Sequence, residues 1–450
     1  MCDGWSTQNR KCIINFLVYS PQGAIFLKSV DASDKYKDSN YIFGLMNEVV
    51  DQIGEKRVVQ IVTDNGSNYK AAGVKLMGVR KNLYWTPYAA HCIDLMLKDI
   101  ANDTSIKPLI QKSQELTCFI YNHGWALSLM RTETRNGELV RPAITRFATN
   151  FLALDSILTH QDDLKRMTNT RGWAKNYTKL NRKDREKANV VVGLIDSQTY
   201  WRNIAGVTAI FGPLVKVLRM VDSDDKAEMD HLYEAMDRAI FMIKKNVGKG
   251  YKKWWQMIDK RWNNQLHQDI HAAGYFLNPK YQYANDVVND DEVLNGFHRV
   301  VNRIVNDNET RLNINREAER FRLKTCAFGS NQFQSAVTRC LPAEWWSIYA
   351  MEDAPNLTRL AVRILSQTVS SSNCERNWTI FSLIHTRPRN RLTMARLEKL
   401  VFVHYNMRSR VRNVQRSGDD QNIIDLDEIF HDQDPLTAWT REKRSTSLGW

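Results

Sequence analysis

The chain has 450 residues, 43% of them hydrophobic and 25% charged, a globular composition that excludes a wholly disordered or fibrous chain and allows two or three domains. Lys and Arg number 63 against 50 Asp and Glu, and the resulting net charge of +13 favours a polyanionic partner, nucleic acid above all. The seven cysteines are scattered without a Cys-x-x-Cys pair, which argues against a zinc finger and a disulfide framework and for a reducing compartment. No apolar run approaches the ~20 residues of a membrane span, and Asp3 interrupts any signal peptide, so no membrane association is expected and cytosol or nucleus is the default.

Two strands open the chain. "CIINFLVYS" and "AIFLKSVDAS" are joined by "PQG", whose Pro21 and Gly23 carry the turn chemistry of a hairpin. "SNYIFGLMNEVVDQIG" predicts a helix, with Tyr41, Leu45 and Val49 on one face and Gly54 as the stop. "VVQIVTD" is a short, nearly continuous apolar run, as a strand buried on both faces should be. "NYKAAGVKLMGVR" predicts a second helix, "LYWT" another strand, and "HCIDLMLKDIAN" a third helix. Such a sequence of elements implies a mixed sheet with helices packed on it.

Beyond about Asn150 helical periodicity dominates, as in "DHLYEAMDRAIFMIKK", where Leu232, Ala235, Ala239 and Met242 share a face. Strand signals almost vanish as far as Ser347. Tryptophans crowd this block (Trp173, Trp201, Trp254, Trp255, Trp262, Trp345, Trp346); helix-to-helix packing is one reading and platforms for unpaired bases another. After Arg412 the chain turns polar and acidic, and much of it is expected to be disordered.

Two acids stand out. Asp64 ends the most strand-like segment, at the place where α/β sheets put their ligands. Asp3 precedes the hairpin strands, and if its strand lies beside the one ending at Asp64 the two carboxylates face each other. Like charges so close call for a cation. Oxygen ligands suit Mg²⁺ or Mn²⁺, and such ions support in-line phosphoryl displacement. The competing reading has Asp64 capping the turn or helix that follows.

A third acid comes with a resemblance. "ILSQTVSSSNCERNWTIFSLIHTRPRNRLTMARLEKLVFVHYNMR", Ile364 to Arg408, resembles the C-terminal region of hAT-superfamily DNA transposases, the plant hAT-like type most closely. "CDGWS" and "VTDNGSN" resemble the family's two aspartate motifs, with Trp5 and Asn68 beside the acids, and "LVRPAITRF" its Thr-Arg-aromatic motif. The resemblance implies a ribonuclease-H-like mixed-sheet core interrupted by a large all-helical insertion, an α/β plus all-α chain. It places the core at 1–150, the insertion at 151–360, the glutamate helix and dimerisation region at 361–412, and the polar tail at 413–450.

It further implies an Asp-Asp-Glu metal site of Asp3, Asp64 and Glu375 holding Mg²⁺ or Mn²⁺, with Arg376 next to the glutamate. The activity implied is cut-and-paste transposition in the nucleus, in which DNA is nicked at an element end and a hairpin closes on the flanking DNA. Arg146 and Phe147 of the Thr-Arg-aromatic motif, and the cluster Arg387, Arg389 and Arg391, become DNA contacts; a solvated charge run is the other reading of that cluster. Ser370, Ser371, Ser372 and Asn373 are suited to cap a helix that carries Glu375 back to the sheet. His91 occupies the histidine of the family's Cys-x-x-His motif, with Tyr88 at the cysteine position; a buried core histidine is the alternative. "RLTMARLEKLVFVHYNMR" is amphipathic, and in the family this region forms the homodimer.

Since only Met1 and Cys2 precede Asp3, the first strand is expected to be short, its carboxylate loosely fixed and activity impaired. The alternative function is a catalytically silent, domesticated descendant that binds DNA or proteins.

Overall fold

The computed structural model describes residues 1–6, 11–141, 148–222, 229–284, 290–384, 392–416 and 424–430. Arg146, Phe147, Arg387, Arg389 and Arg391 therefore lie outside the described residues, as does most of the segment beyond Arg416. The chain is mostly helical, with one small mixed sheet. It divides into two compact units: Met1–Cys92, Met220–Ala235 and Trp262–Leu426 form the first, and Ile93–Arg219 with Met236–Arg261 the helical body of the second.

The sheet belongs to the first unit. Its strands are β1 (Cys2–Ser6), β2 (Cys12–Ser20), β3 (Gly23–Asp31), β4 (Gln60–Thr63) and β5 (Tyr84–Pro87), in the order β3-β2-β1-β4-β5. β1, β2 and β3 run antiparallel to one another in sequence, whereas β4 is parallel to β1 and β5 to β4. Helices α1 (Ser39–Ile53), α2 (Ser67–Val79) and α3 (Ala89–Ala101) follow the order expected from the hydrophobic pattern. Asp38 starts α1 by accepting hydrogen bonds from the Asn40 and Tyr41 amides at 3.0 and 2.8 Å, and Gly54, at φ +93°, ends it.

The first strand is as short as expected, five residues, but it is firmly paired on one side. β1 pairs with β2 over all five of its residues, and Asp3 is 6% exposed. The Met1 ammonium donates to the Leu17 carbonyl at 2.8 Å and the Leu17 amide returns a bond to the Met1 carbonyl at 3.0 Å. Ladder bonds on either side of the aspartate hold its backbone, so its carboxylate is not loosely fixed.

Strand periodicity divides the core into two layers. Cys2, Ile14 and Phe16 face Ile42, Met46 and Val50 of α1 and Ala72 and Leu76 of α2. Ile13, Leu17 and Phe26 face the other way, onto Cys374 and Phe381 of the glutamate helix (Ser372–Ile384) and Leu397, Val401 and Tyr405 of the C-terminal helix (Met394–Arg416). One apolar side of the C-terminal helix thus packs on the sheet. Its polar side chains also close the outer edge of β3. Asn406 exchanges two bonds with the Phe26 backbone at 2.9 and 3.0 Å, Ser409 donates to the Ala24 carbonyl, and Glu398 accepts from the Ser29 amide. An edge strand left open would invite pairing with another chain.

From Ala89 on the described chain is helical, with Lys107–Asn122 and Gly124–Glu133 already ahead of residue 150. The C-terminal helix continues to Arg416 and a short helix covers Leu426–Ile429, both within the segment expected to be disordered. Among the described residues one helix, Gln198–Val221, is long and apolar enough to cross a membrane by length and composition, contrary to the sequence reading. It carries Arg202, Lys216 and Arg219, and its Trp201, Ile204, Phe211, Leu214 and Val215 are buried. Among the tryptophans, Trp173, Trp201, Trp254, Trp345 and Trp346 are core residues; the indoles of Trp345 and Trp346 donate to the carbonyls of Phe333 (3.0 Å) and Leu277 (2.8 Å). Trp255, 40% exposed, is the one of these that keeps a large open surface.

Candidate active site

β1 is the middle strand, and its register decides where the acids go. Cys2 pairs with Thr63, the last residue of β4, in parallel. The next residue on each strand is an aspartate, so Asp3, still within β1, and Asp64, just past the end of β4, stand side by side. Asp3 remains buried, and its Oδ1 accepts the Gly4 amide at 2.7 Å. Asp64 is partly exposed; its Oδ1 accepts the Asn65 amide at 2.6 Å, and His91 Nε2 lies 3.3 Å from the same oxygen. Thr63 holds the turn from inside: its hydroxyl donates to the Asp64 carbonyl at 2.8 Å and accepts the Trp85 indole at 2.9 Å.

Glu375 reaches this end of the sheet from far along the chain. The Val369 carbonyl accepts the Ala89 amide at the start of α3, and Gln60 of β4 donates to the Thr368 carbonyl at 3.3 Å. Thr368, Ser370 and Ser372 then bond to one another, with Ser370 N to Thr368 Oγ1 at 3.0 Å and Ser372 N to Ser370 Oγ at 3.1 Å. The glutamate helix starts at Ser372, in the run of serines expected to cap it, and Glu375 sits in its first turn.

The acids act on one another. Burial pushes the Asp3 carboxyl well above the usual carboxylate range, the Asp64 charge adds to this, the Gly4 amide opposes it, and Glu375 raises it further. A buried acid crowded by two others has the charge and the oxygen donors of a divalent-cation site. The spacing is open, however: among the described residues no three His, Cys, Asp or Glu side chains stand close enough to hold one metal ion.

The supporting residues have separate tasks. His91 is not a buried core histidine; it is on the surface beside Asp64. Tyr88, at the cysteine position, donates to Asp222 Oδ1 at 3.2 Å. Asn68 donates to the Lys37 carbonyl at 2.7 Å and so fixes the start of α2. Arg376 donates to the Asp222 carbonyl at 3.2 Å. Trp5 stacks on Trp378 of the glutamate helix, ring centroids 6.5 Å apart and planes 12° from parallel. Tyr69 escaped the sequence reading. A Cβ on Gly4 would come within 2.7 Å of the Tyr69 hydroxyl, so this glycine makes room for a tyrosine beside Asp3.

Comparison with known families gives two matches. Residues 327–407 match the hAT family C-terminal dimerisation region. Residues 1–116 match a domain of unknown function, DUF659, found in plant hAT-like transposases. The first match takes in Glu375 and the second takes in Asp3 and Asp64. No curated protein matches the chain.

Proposed function

We propose that this hAT transposase-like protein has a ribonuclease-H-like core and cleaves and transfers DNA strands in the nucleus. The observation that supports this reading best is the parallel pairing of Cys2 with Thr63, which sets Asp3 beside Asp64, with Glu375 in the first turn of a helix whose charge reaches Asp3. The sheet order β3-β2-β1-β4-β5, antiparallel then parallel, supports the same core. Asp3, Asp64 and Glu375 would hold Mg²⁺ or Mn²⁺, which supplies an activated water and neutralises charge on the leaving oxygen. His91 orients the Asp64 carboxylate from the solvent side. Asp3, fixed in the ladder, gives the site an immobile wall. The net charge of +13 supports DNA as the partner, and its binding should weaken steeply with salt. The dimerisation region supports a homodimer.

A second reading, a domesticated and catalytically silent DNA-binding or protein-interaction module, is favoured by the open spacing of the acids. A plasmid-nicking assay separates the two. Wild type should nick supercoiled DNA with Mn²⁺, and Glu375→Gln and Asp64→Asn should each abolish nicking while still binding DNA. Salt-sensitive DNA binding without nicking by the wild type would leave the silent module as the function.

A further inference from the structure

From Ala239 to Ile258 the chain carries five lysines and no acid. This stretch lies in the second unit, on the helix that ends at Val247, the turn Gly248–Gly250 and the helix Tyr251–Arg261. Gly248, at φ +64°, takes the left-handed conformation that lets the chain leave the first helix. Lys253 is engaged, its Nζ 2.6 Å from Asp103. Lys244, Lys245, Lys249 and Lys252 are exposed, and among the described residues none of them has an acidic partner.

Aromatic side chains stand among these lysines. Trp254 and Ile258 are buried and fix the second helix to its core, whereas Trp255, the next residue, turns outward. Phe241 is 65% exposed, and Lys244 and Lys245 follow it by three and four residues on the same helix face. The Lys244 ammonium lies over the Tyr251 ring, 5.5 Å from its centroid, and so joins the outer faces of the two helices. Trp255 comes one turn after Tyr251 and three residues after Lys252. Phe241, Lys244, Tyr251, Lys252 and Trp255 thus form one continuous surface.

An open indole among unpaired ammonium groups fits a partner that offers repeated anions and flat apolar faces together. A nucleic-acid strand has both. In a duplex the base faces are stacked on one another, so only an unpaired base can lie on Trp255. The cations are lysines, point charges that hold phosphate without the planar fork with which arginine reads a base edge. Anionic lipid would attract the same lysines, but a helix lying on a membrane buries a broad apolar face. The outward side of Tyr251–Arg261 instead presents Lys252, Lys253, Trp255 and Gln256.

We propose that this surface binds single-stranded DNA without sequence preference. Lys244, Lys245, Lys249 and Lys252 hold phosphates, and Trp255 stacks on a base. The inference rests on DNA as the partner in the proposed function and adds the state of the strand and the place where it lies. It involves neither the acids nor a metal ion.

Fluorescence anisotropy tests this in the full chain, with a labelled strand of ~20 nucleotides, alone and annealed to its complement. Trp255→Ala should weaken binding of the single strand about fivefold to a hundredfold and leave the duplex within about twofold of wild type. Trp255→Phe, which keeps a stacking face, should recover part of the loss, and Trp255→Gln carries the measurement if the alanine variant fails to fold. Replacing Lys245, Lys249 and Lys252 together by glutamine should lower the slope of log affinity against log salt for the single strand by about 2. Single-strand affinity within about twofold of wild type in Trp255→Ala overturns the surface while leaving DNA as the partner. If that variant instead loses binding to vesicles of phosphatidylcholine and phosphatidylserine, with the single strand unaffected, the surface belongs to a membrane and the proposal falls. A wild type that binds neither form of DNA removes DNA as the partner, and the surface with it.

Discussion

Gly73 is where the fold behind Asp64 is most exposed to a single methyl group. It lies in the buried face of α2, and a Cβ there would land on the Trp85 ring of β5. Replacing it by alanine has two opposed effects. Alanine is the better helix former by about 1 kcal/mol. Overpacking costs about 1–3 kcal/mol. If Trp85 yields, its indole loses the Thr63 hydroxyl, and a buried donor left unpaired costs about 1–3 kcal/mol more. The losses win, and Gly73→Ala should destabilise the first unit by about 3 kcal/mol. Gly78, in the same helix, has nothing within 4 Å of an added Cβ, so Gly78→Ala should gain up to about 1 kcal/mol. Urea denaturation of the two variants side by side, followed by amide hydrogen exchange at β4 and β5, reads the difference. Equal midpoints would refute the steric argument. Thr63 also bonds the Asp64 carbonyl, so Gly73→Ala should speed exchange at Asn65 even where the sheet stays folded.

Two more outcomes follow from groups far from the acids. Asp230 is buried, accepts a 2.9 Å bond from Asn278, and is pushed up to about 8 by burial. Between its unfolded value of about 3.9 and 8 the unfolded chain gives up a proton that the folded chain keeps, so wild-type stability falls as pH rises through that window. Asp230→Asn should therefore match wild type at pH ~4 and exceed it at pH ~8 in urea midpoints; equal midpoints at pH ~8 would show that the carboxyl ionises freely in the fold. On the C-terminal helix, Leu400, Val403, Met407, Val411 and Val414 are exposed and recur on the side away from the sheet. Val403→Arg with Met407→Arg should turn a micromolar dimer into a monomer by sedimentation. A wild type that is itself monomeric there removes this helix from the dimer interface.

Much of the core could be read from side-chain pattern because one interaction dominated each segment. The β-branched run Val58–Thr63 had only one use, and the change to Asp-Asn-Gly ended it where β4 ends. The adjacency of Asp3 and Asp64 was legible only on the condition that their strands are neighbours, and the parallel pairing of Cys2 with Thr63 supplies that condition. The strength of β1 was illegible, because the ladder bonds that fix Met1 come from Leu17 and depend on register rather than on residue type. The amphipathic C-terminal helix was visible, but not what it covers, since an apolar stripe does not name the surface it meets. Asn15 and Asn377 gave no signal at all: asparagine is ordinarily an exposed or turn residue, and only three-dimensional placement shows both sealed inside. The spacing of the three carboxylates, a property of side-chain packing across remote segments, was likewise beyond any motif.

The register that sets Asp3 beside Asp64 also sets a timetable. Glu375 follows Asp3 by 372 residues, which at ~5–20 residues per second separates their synthesis by roughly 20–70 s. Through that interval the Ile13, Leu17 and Phe26 side of the sheet has neither of the helices that later cover it. The nascent chain therefore carries an apolar sheet face and an open β3 edge, both closed by its last hundred residues. A chaperone that engages the growing polypeptide should be released only when the C-terminal helix has docked, and premature termination anywhere before Met394 should send the product to degradation rather than leave a stable, partly active fragment.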